Sequence, residues 1–233
     1  MRLKALKFPF RRAPKDAPPT FFFHIPKCAG TSVWETLFHV YGARNVFIVN
    51  SARSRQVLAA MPPERCRSYG AVGGHWPLRN FRDLLGEMTV YYKIITLRDP
   101  IDRAISEYNY VRAQTSHPRN AMVSQQSLEM FAAETLAPDR QVKLLAGRGD
   151  DVEGAFDIVT RFFDDWSFSN GVDALIQRLY AVTGVEPCTS QHKNKGAPGL
   201  SRAALEPATL RLLEARNKYD LALIEALRSS RAQ

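Results

Sequence analysis

The sequence has few cysteines and no long apolar run, and both absences exclude classes of protein. Its 233 residues include three cysteines and no C-x-x-C pair, so we expect neither a disulfide framework nor a structural zinc site. The five histidines show no H-E-x-x-H or other paired spacing, so we expect no metal site. No segment has the length of a membrane span or the apolar core of a signal peptide. These absences favour a reducing compartment, and we expect the protein to be cytoplasmic.

Acidic residues are also in the minority. Lysine and arginine number 32 against 23 aspartates and glutamates, which gives a formal net charge of +9. This balance favours anionic partners such as nucleic acid, a membrane surface, phosphate or sulfate esters, or acidic polysaccharide, without choosing among them. Part of the excess lies in residues 1–19, which we interpret as a disordered basic leader. Leu6, Phe8 and Phe10 in this leader also allow a weak contact with a membrane surface.

The remaining residues, 20–233, have the pattern of one α/β domain. Residues 90–97 are almost continuously apolar or β-branched, which is typical of a central strand in a parallel sheet. Further strands are predicted at residues 20–23, 46–49 and 69–72. These strands alternate with segments of helical periodicity, and the second half of the chain is mainly helical in pattern. The sequence therefore predicts a three-layer α/β/α fold with a central parallel sheet and a helix-rich C-terminal half.

The first predicted strand leads through a short loop into a helix. The loop contains Lys27 and Gly30, and Thr31 and Ser32 open the helical segment. Backbone N–H groups in such a loop and at a helix N-terminus bind anions, and Lys27 adds a full positive charge. The loop is not a Walker A loop, because Lys27 precedes Gly30. Taken alone, the segment fits a phosphate cradle and an ordinary strand–turn–helix equally well.

A second basic site follows the strand at residues 90–97. Arg98 ends this strand, and Asp99 and Pro100 are typical of a helix start. In an open parallel sheet, ligands bind beyond the carboxyl ends of the strands, so we expect both basic sites at one edge. Ser106 lies two turns after Arg98, and a guanidinium with a hydroxyl suits a phosphate. The alternative is a helical ion pair between Asp99 and Arg103, with Arg98 in solvent.

Together, these two segments resemble the motifs of the carbohydrate sulfotransferases. Residues 24–32, HIPKCAGTS, are similar to the 5′-phosphosulfate loop of that family, which is usually HIPKTAGTS. Residues 98–108, RDPIDRAISEY, resemble its 3′-phosphate motif, R-D-P-x-x-R-x-x-S-x-Y. Gly74 and His75 resemble the element that carries the proposed base in the heparan sulfate 2-O-sulfotransferase-like branch. Residues 140–147, RQVKLLAG, resemble the Q-x-x-x-L-x-G helix of the family, and weaker similarity is found at residues 192–196 and 217–220.

The resemblance implies a P-loop-like sulfotransferase fold and a specific reaction. The sulfuryl group of 3′-phosphoadenosine 5′-phosphosulfate (PAPS) would move to a hydroxyl of a carbohydrate or glycoconjugate, without a metal, and leave 3′-phosphoadenosine 5′-phosphate (PAP). Lys27 would stabilise the leaving phosphate, and His75 would be the base. The other donor-binding residues that the resemblance implies are Cys28, Ala29, Gly30, Thr31, Ser32, Arg98 and Ser106. Residues 113–124 and 147–154 are predicted loops that would recognise the acceptor.

The loop departs from the family at one position. Cys28 replaces the usual threonine, which removes a hydroxyl but keeps the backbone N–H, so we expect donor binding to survive. A thiol at a helix N-terminus beside Lys27 is also expected to have a lowered pKa.

Other interpretations stay open at this point. A P-loop-type nucleotide kinase is the nearest alternative enzyme, although the Walker spacing is missing. A basic RNA- or polyanion-binding module fits the net charge, but no RNA-binding motif is found and we expect no nucleic-acid partner. His75 is either a base or a residue that only hydrogen-bonds the backbone, and Trp76 belongs either to the core or to a sugar-stacking surface.

Overall fold

A computed structural model describes residues 16–187 and 199–231 of the chain. Within these ranges, five parallel strands form one sheet with the order β2-β3-β1-β4-β5. The strands are β1 Thr20–His24, β2 Val46–Val49, β3 Ala71–Gly74, β4 Tyr92–Leu97 and β5 Asp165–Phe168. Most of the basic leader, Cys188 and the basic loop at 192–196 lie outside the described residues.

Twelve α-helical segments are found in the same ranges, and most of them lie after β4. Those before β4 are α1 Gly30–Tyr41, α2 Ala52–Ala59, α3 Pro63–Arg67 and α4 Leu78–Leu85. Those after β4 are α5 Pro100–Ala113, α6 Asn120–Val123, α7 Leu128–Met130, α8 Arg140–Ala146, α9 Val152–Asp157, α10 Val172–Thr183, α11 Pro207–Arg216 and α12 Lys218–Arg231. Single π-helical turns continue α7 and α9 at Phe131–Thr135 and Ile158–Phe162.

The three phenylalanines of β1 show how the layers form. Successive side chains of a strand point to opposite faces of the sheet. Phe21 and Phe23 pack on one face against α4, α8, α9 and α12, whereas Phe22 packs on the other face against α1 and α10. All three are at most 1% exposed, and full burial of such a side chain contributes about 2–3 kcal/mol. The expected three-layer α/β/α fold with a parallel sheet is therefore confirmed.

A third cluster of buried side chains lies beside the sheet, among α5, α7 and α11. It includes Ile101, Ala104 and Tyr108 of α5, together with Phe131 and Leu213. This cluster fixes α5, which begins directly after β4, and so holds the segment that carries Ser106.

The strands differ in part from the sequence prediction. β1 ends one residue later than expected, at His24, and β4 begins two residues later, at Tyr92. β3 begins two residues later than expected and includes Gly73 and Gly74. A Cβ on Gly74, whose φ is +135°, would lie 2.2 Å from the carbonyl oxygen of Val49, so only glycine allows β2 and β3 to approach here. β5 was not predicted, and residues 156–159, which were ambiguous, are helical. The predicted loop at residues 113–124 contains the short helix α6.

The order of the strands creates a cleft between β1 and β4. These strands are neighbours, but the chain leaves β1 toward β2 on one side and leaves β4 toward β5 on the other. Loops that diverge in this way leave an opening at the carboxyl ends of the two strands, where open α/β sheets bind ligands. The loop at residues 25–29 and the segment at 98–99 border this opening.

Candidate active site

The loop after β1 presents backbone N–H groups to the cleft. Lys27 and Ala29 adopt left-handed conformations, with φ of 73° and 57°, and turns of this kind form concave nests of N–H groups. Ala29 precedes α1 without a side-chain cap, and the first turn of α1 holds no acidic residue. The first N–H groups of α1 therefore have no side-chain acceptor, which makes this N-terminus suitable for an anion. Thr31 and Ser32 are half-buried in that turn.

Gly30 lets the loop pack directly on His24. A Cβ at position 30 would lie 1.8 Å from Nε2 of His24, so no other residue fits without moving that ring. The His24 ring is itself buried and stacks on Phe22, with 5.2 Å between the ring centroids. The glycine of the loop is thus required by its contact with the end of β1.

Lys27 and Arg98 lie next to each other, as expected. Nη1 of Arg98 donates a hydrogen bond of 3.2 Å to the carbonyl oxygen of Lys27. Nζ of Lys27 lies 3.9 Å from the centroid of the Tyr110 ring, and no carboxylate of the described residues pairs with it. Burial, and then the charge of Arg98, lower the pKa of Lys27 to about 8. Among the described residues, neither of these two cations forms a salt bridge with a carboxylate.

The expected low pKa of the Cys28 thiol is wrong. Cys28 is fully buried, and burial raises the pKa of its thiol to about 12 despite the cations nearby. Its Sγ lies 3.7 Å from Oε1 of Gln141. The thiol is therefore neutral and fills space below the loop, while the backbone N–H of Cys28 donates to the carbonyl oxygen of Ile25 at 3.3 Å.

The alternative ion pair between Asp99 and Arg103 is also wrong. The Asp99 carboxylate caps α5 by accepting hydrogen bonds from the N–H groups of Ile101 and Asp102. Arg103 is fully buried and pairs instead with Glu107, at 2.9 Å. Arg98 is half-buried and points toward the loop after β1 rather than into solvent.

Glu107 is the acidic centre of the ion-pair cluster on α5. It binds Arg103 and also Arg119, at 2.6 Å. Burial opposes ionisation of Glu107, but Arg103 and Arg140 outweigh it and lower the pKa of Glu107 to about 2. Ser106 lies beside this cluster in α5, and its half-buried hydroxyl makes no hydrogen bond to the described residues. That hydroxyl is therefore available to a ligand.

His75 follows β3 and is brought to the loop by His24. Its backbone N–H donates to Val49 at 2.7 Å, and its Nε2 lies 2.8 Å from Nδ1 of His24. Burial, followed by the charges of Arg140 and Arg55, lowers the pKa of His75 to about 4. The imidazole is thus neutral near pH 7 and able to accept a proton.

Aromatic side chains surround this histidine pair. Trp34 is buried and donates from Nε1 to Nδ1 of His24, at 3.1 Å. Trp76 is half-buried, with its ring centroid 6.0 Å from that of Phe81 and 5.9 Å from Cζ of Arg55. Trp34 is therefore a core residue, whereas Trp76 lies at the edge of the core directly after His75.

A model of the sulfotransferase family matches residues 10–168, which is more than half of the chain. The chain belongs to the sulfotransferase family. The resemblance of the sequence to a sulfotransferase family is thereby confirmed. A search of curated proteins gives no match to the sequence.

Two solved sulfotransferases share the fold. Mouse sulfotransferase SULT7A1, complexed with PAP, is 14% identical with a TM-score of 0.55, over 85% of this chain and 84% of that chain. A sulfotransferase from Alicyclobacillus acidocaldarius is 17% identical with a TM-score of 0.51, over 91% and 96% of the two chains. The expected P-loop-like sulfotransferase fold is confirmed.

In this member of the sulfotransferase family, Gln141 joins the loop after β1 to the segment after β4. Its fully buried side chain accepts a hydrogen bond from the N–H of Arg98, at 3.0 Å, and donates one to the carbonyl of Arg98, at 2.9 Å. Its Oε1 also contacts Cys28. Sequence reasoning assigned Gln141 no role. The available signal was the resemblance of residues 140–147 to the Q-x-x-x-L-x-G helix of the family, in which Gln141 is the glutamine.

Two aspartates hold α8, and therefore Gln141, against α12. The Asp220 carboxylate accepts hydrogen bonds from the N–H groups of Gln141 and Val142, at 3.1 and 2.8 Å. The Asp139 carboxylate accepts in return from the N–H groups of Tyr219 and Asp220, at 2.8 and 3.0 Å. Asp220 thus caps the first turn of α8, and Asp139 caps the first turn of α12.

Neither a metal-binding cluster nor a membrane-spanning helix is found among the described residues. No group of three or more histidine, cysteine, aspartate or glutamate side chains in them could hold a metal ion. None of the helices in residues 16–187 and 199–231 is both long and apolar enough to cross a membrane.

Proposed function

We propose that this protein transfers the sulfuryl group of PAPS to a hydroxyl of a carbohydrate or glycoconjugate. The observation that carries the proposal is the pair of adjacent cations, Lys27 and Arg98, beside the uncapped N-terminus of α1. Family membership supports sulfuryl transfer. The complex of mouse SULT7A1 with PAP supports PAPS as the donor. These observations favour the proposal over a nucleotide kinase or a nucleic-acid-binding module.

The charge of the cleft fits this donor. Two cations lie together, and the lowered pKa of Lys27 reflects their burial and mutual repulsion. An anion bound between Lys27 and Arg98 would replace the hydration that burial removes and would offset the repulsion between the two cations. PAPS carries phosphate groups at two ends, which matches the two motifs at the ends of β1 and β4.

The residues of the first motif would hold the 5′ end of the donor. The N–H groups of residues 28–32 and the hydroxyls of Thr31 and Ser32 would bind its oxygens, as backbone donors at a helix N-terminus do in other phosphate sites. PAPS supplies the sulfuryl group and, in its 5′-phosphate, the leaving group. Lys27 would stabilise the negative charge that builds on that phosphate during transfer.

The second motif would hold the 3′-phosphate. Arg98 offers a planar guanidinium, which binds phosphate with directed hydrogen bonds. Ser106 adds a hydroxyl without a partner among the described residues. Gln141 holds the backbone of Arg98 from below, so that the two motifs keep a fixed distance for the two ends of one nucleotide.

His75 would act as the general base. Its neutral imidazole would take the proton of the acceptor hydroxyl while the oxygen of that hydroxyl bonds to sulfur. A pKa near 4 makes His75 a weak base in the free protein, but the negative charge of a bound donor raises that pKa. Lys27 and the α1 N-terminus would supply the positive charge, so the transfer needs no metal.

The acceptor would approach from the side of His75 and Trp76. An aromatic ring beside a base is a suitable surface for a sugar, which supports a carbohydrate acceptor. Tyr110 contacts both Lys27 and His117, with ring centroids 5.9 Å apart in the latter pair. Tyr110 of α5 thus lies between Lys27 and His117 of the following segment, and this segment would form part of the acceptor site. We further propose that residues 20–233 form one domain, and that the protein acts in the cytoplasm.

The proposal is tested by incubating the protein with radiolabelled PAPS and a panel of sugars, glycans and glycolipids. Transfer to one of them is expected. Lys27→Ala and Arg98→Ala should each weaken PAP binding in calorimetry, whereas Lys143→Ala, an exposed lysine of α8, should not. His75→Ala should abolish transfer and keep PAP affinity.

Two results would contradict different parts of the proposal. Unchanged PAP affinity in both Lys27→Ala and Arg98→Ala would exclude this donor site. Transfer that persists in His75→Ala would exclude His75 as the base while leaving the donor site intact.

A further inference from the structure

Trp34, His24 and His75 form a line of hydrogen bonds below the loop after β1, in which the first and the last residue both contact Nδ1 of His24. Nε1 of Trp34 lies 3.1 Å from Nδ1 of His24, and the same Nδ1 lies 2.8 Å from Nε2 of His75. The rings come from α1, from β1 and from the segment after β3. The two imidazoles meet edge to face, with 4.2 Å between their centroids. One nitrogen of His24 is therefore shared by two neighbours.

The chemistry of these groups determines where the hydrogens lie. An indole N–H can only donate, so Nδ1 of His24 must carry its lone pair. A hydrogen on that atom would face the indole hydrogen. Burial, and then the charges of His75 and Lys27, lower the pKa of His24 well below its usual range, so neutral His24 has its hydrogen on Nε2.

The same reasoning then applies to His75. Two lone pairs would oppose each other across 2.8 Å if Nε2 of His75 lacked a hydrogen. Nε2 of His75 therefore donates to His24. A neutral imidazole has one N–H, which leaves the lone pair of His75 on Nδ1.

We propose that Trp34, acting through His24, fixes the tautomer of His75, so that Nδ1 of His75 is the atom that removes the proton from the acceptor hydroxyl. This inference rests on the proposed role of His75 as the base. Trp34 and His24 are positioning residues in it, because they act on His75 rather than on the reacting atoms.

The transfer step balances with this assignment. The proton of the acceptor hydroxyl goes to Nδ1 of His75, and an electron pair of the acceptor oxygen forms the new bond to sulfur. The bond between sulfur and the 5′-phosphate oxygen breaks, and its electron pair stays on that oxygen beside Lys27. His75 becomes an imidazolium whose Nε2 still donates to His24, so its ring keeps its orientation throughout.

Without the indole N–H, the line of hydrogen bonds can reverse. His24 could then carry its hydrogen on Nδ1 and donate to Nε2 of His75, which would move the His75 hydrogen to Nδ1. In that form, Nδ1 has no lone pair for the acceptor proton. Trp34→Phe removes the N–H and keeps an aromatic ring against Phe22, so it isolates this effect.

Nitrogen-15 NMR of histidine-labelled protein near pH 7 tests the tautomers directly. Long-range proton–nitrogen spectra, assigned with His75→Ala and His24→Asn, should place the hydrogen on Nε2 in both rings of the unchanged protein. In Trp34→Phe, a population with hydrogen on Nδ1 should appear in both rings. The kcat of this variant should fall about two- to tenfold at unchanged PAP affinity. Trp166→Phe, on β5, should change neither kcat nor the tautomers.

A second pair of variants keeps the test decisive if Trp34→Phe fails to fold. The amide oxygen of His24→Asn can accept from both Trp34 and His75, whereas His24→Leu can accept from neither. We expect kcat to fall much less in the asparagine variant.

Three results would overturn the inference. They are a hydrogen on Nδ1 of His75 in the unchanged protein, unchanged tautomers and kcat in Trp34→Phe, and equal kcat in the two His24 variants. Persistent transfer in His75→Ala would instead refute the base assignment in the proposed function. The NMR result reports only on the tautomers, so the two failures can be distinguished.

Discussion

The lowered pKa of Lys27 makes donor binding sensitive to pH in a range where most side chains do not titrate. Lys27 has a pKa of about 8 in the free protein, because it is buried beside Arg98. Its charged form binds phosphate, so PAP affinity should be high below this pKa and should decrease above it. At pH 9, about one lysine in ten is still charged, and PAP affinity should be about tenfold weaker than at pH 7.

Calorimetry measures both the affinity and the protons that accompany it. A bound anion raises the pKa of Lys27, so binding between pH 8 and pH 9 should take up protons, which appears as a dependence of the measured heat on the ionisation enthalpy of the buffer. Lys27→Arg is the matched control, since a guanidinium stays charged over this range. Its affinity for PAP should be nearly constant between pH 7 and pH 9.

The reasoning is refuted if unchanged protein binds PAP equally well at both pH values. It is also refuted if Lys27→Arg loses affinity to the same extent, because another group would then be responsible for the titration.

Two further predictions concern residues that shape the site from below. Gly30→Ala should destabilise the fold by about 1–3 kcal/mol and weaken PAP binding, because the new Cβ displaces His24. The control is Gly149→Ala, whose new Cβ would have its nearest neighbour at 3.8 Å and which should match the unchanged protein. Equal behaviour of both variants in urea unfolding and calorimetry would be inconsistent with the tight contact at Gly30. Gln141→Leu should lower the free energy of unfolding by about 1–3 kcal/mol, because the backbone N–H and carbonyl of Arg98 lose their partners, and it should also weaken PAP binding. The control is Gln125→Leu at an exposed position. Normal PAP affinity in Gln141→Leu would contradict the positioning of Arg98 by Gln141.

The sheet was largely predictable because its central strands are buried on both faces. Residues 20–23 form a continuous apolar or β-branched run, and residues 92–97 form one that only Lys93 interrupts. Such runs are typical of a parallel sheet that is covered on both faces. β3 was misplaced by two residues, because Gly73 and Gly74 have no side chains to give a strand pattern, and their need for glycine arises from the neighbouring strands. β5 was missed because it is a short strand at the edge of the sheet, with Asp165 and Ser167 among its four residues.

The candidate site was predictable only where its residues are close in sequence. The turn around Lys27 and the start of α5 are local motifs, and the strand order brings them together. The contacts of Gln141 with Arg98 and of Asp220 with α8 join residues 43 and 79 positions apart, which no local pattern encodes. The Cys28 pKa prediction failed for the same reason, since sequence neighbours suggest a low value and burial by distant segments decides it.

The reciprocal capping by Asp139 and Asp220 has a consequence for the order in which the protein is assembled. β1, β4 and both phosphate motifs leave the ribosome more than a hundred residues before Asp220 does. Until α12 docks, the first turn of α8 lacks its acceptor, and Gln141 is not held against Arg98. A nascent chain that already contains every residue proposed to bind the donor is therefore not yet able to hold the nucleotide at both ends. Asp220, which is not among the residues proposed to bind the donor, is thus needed to complete the donor site.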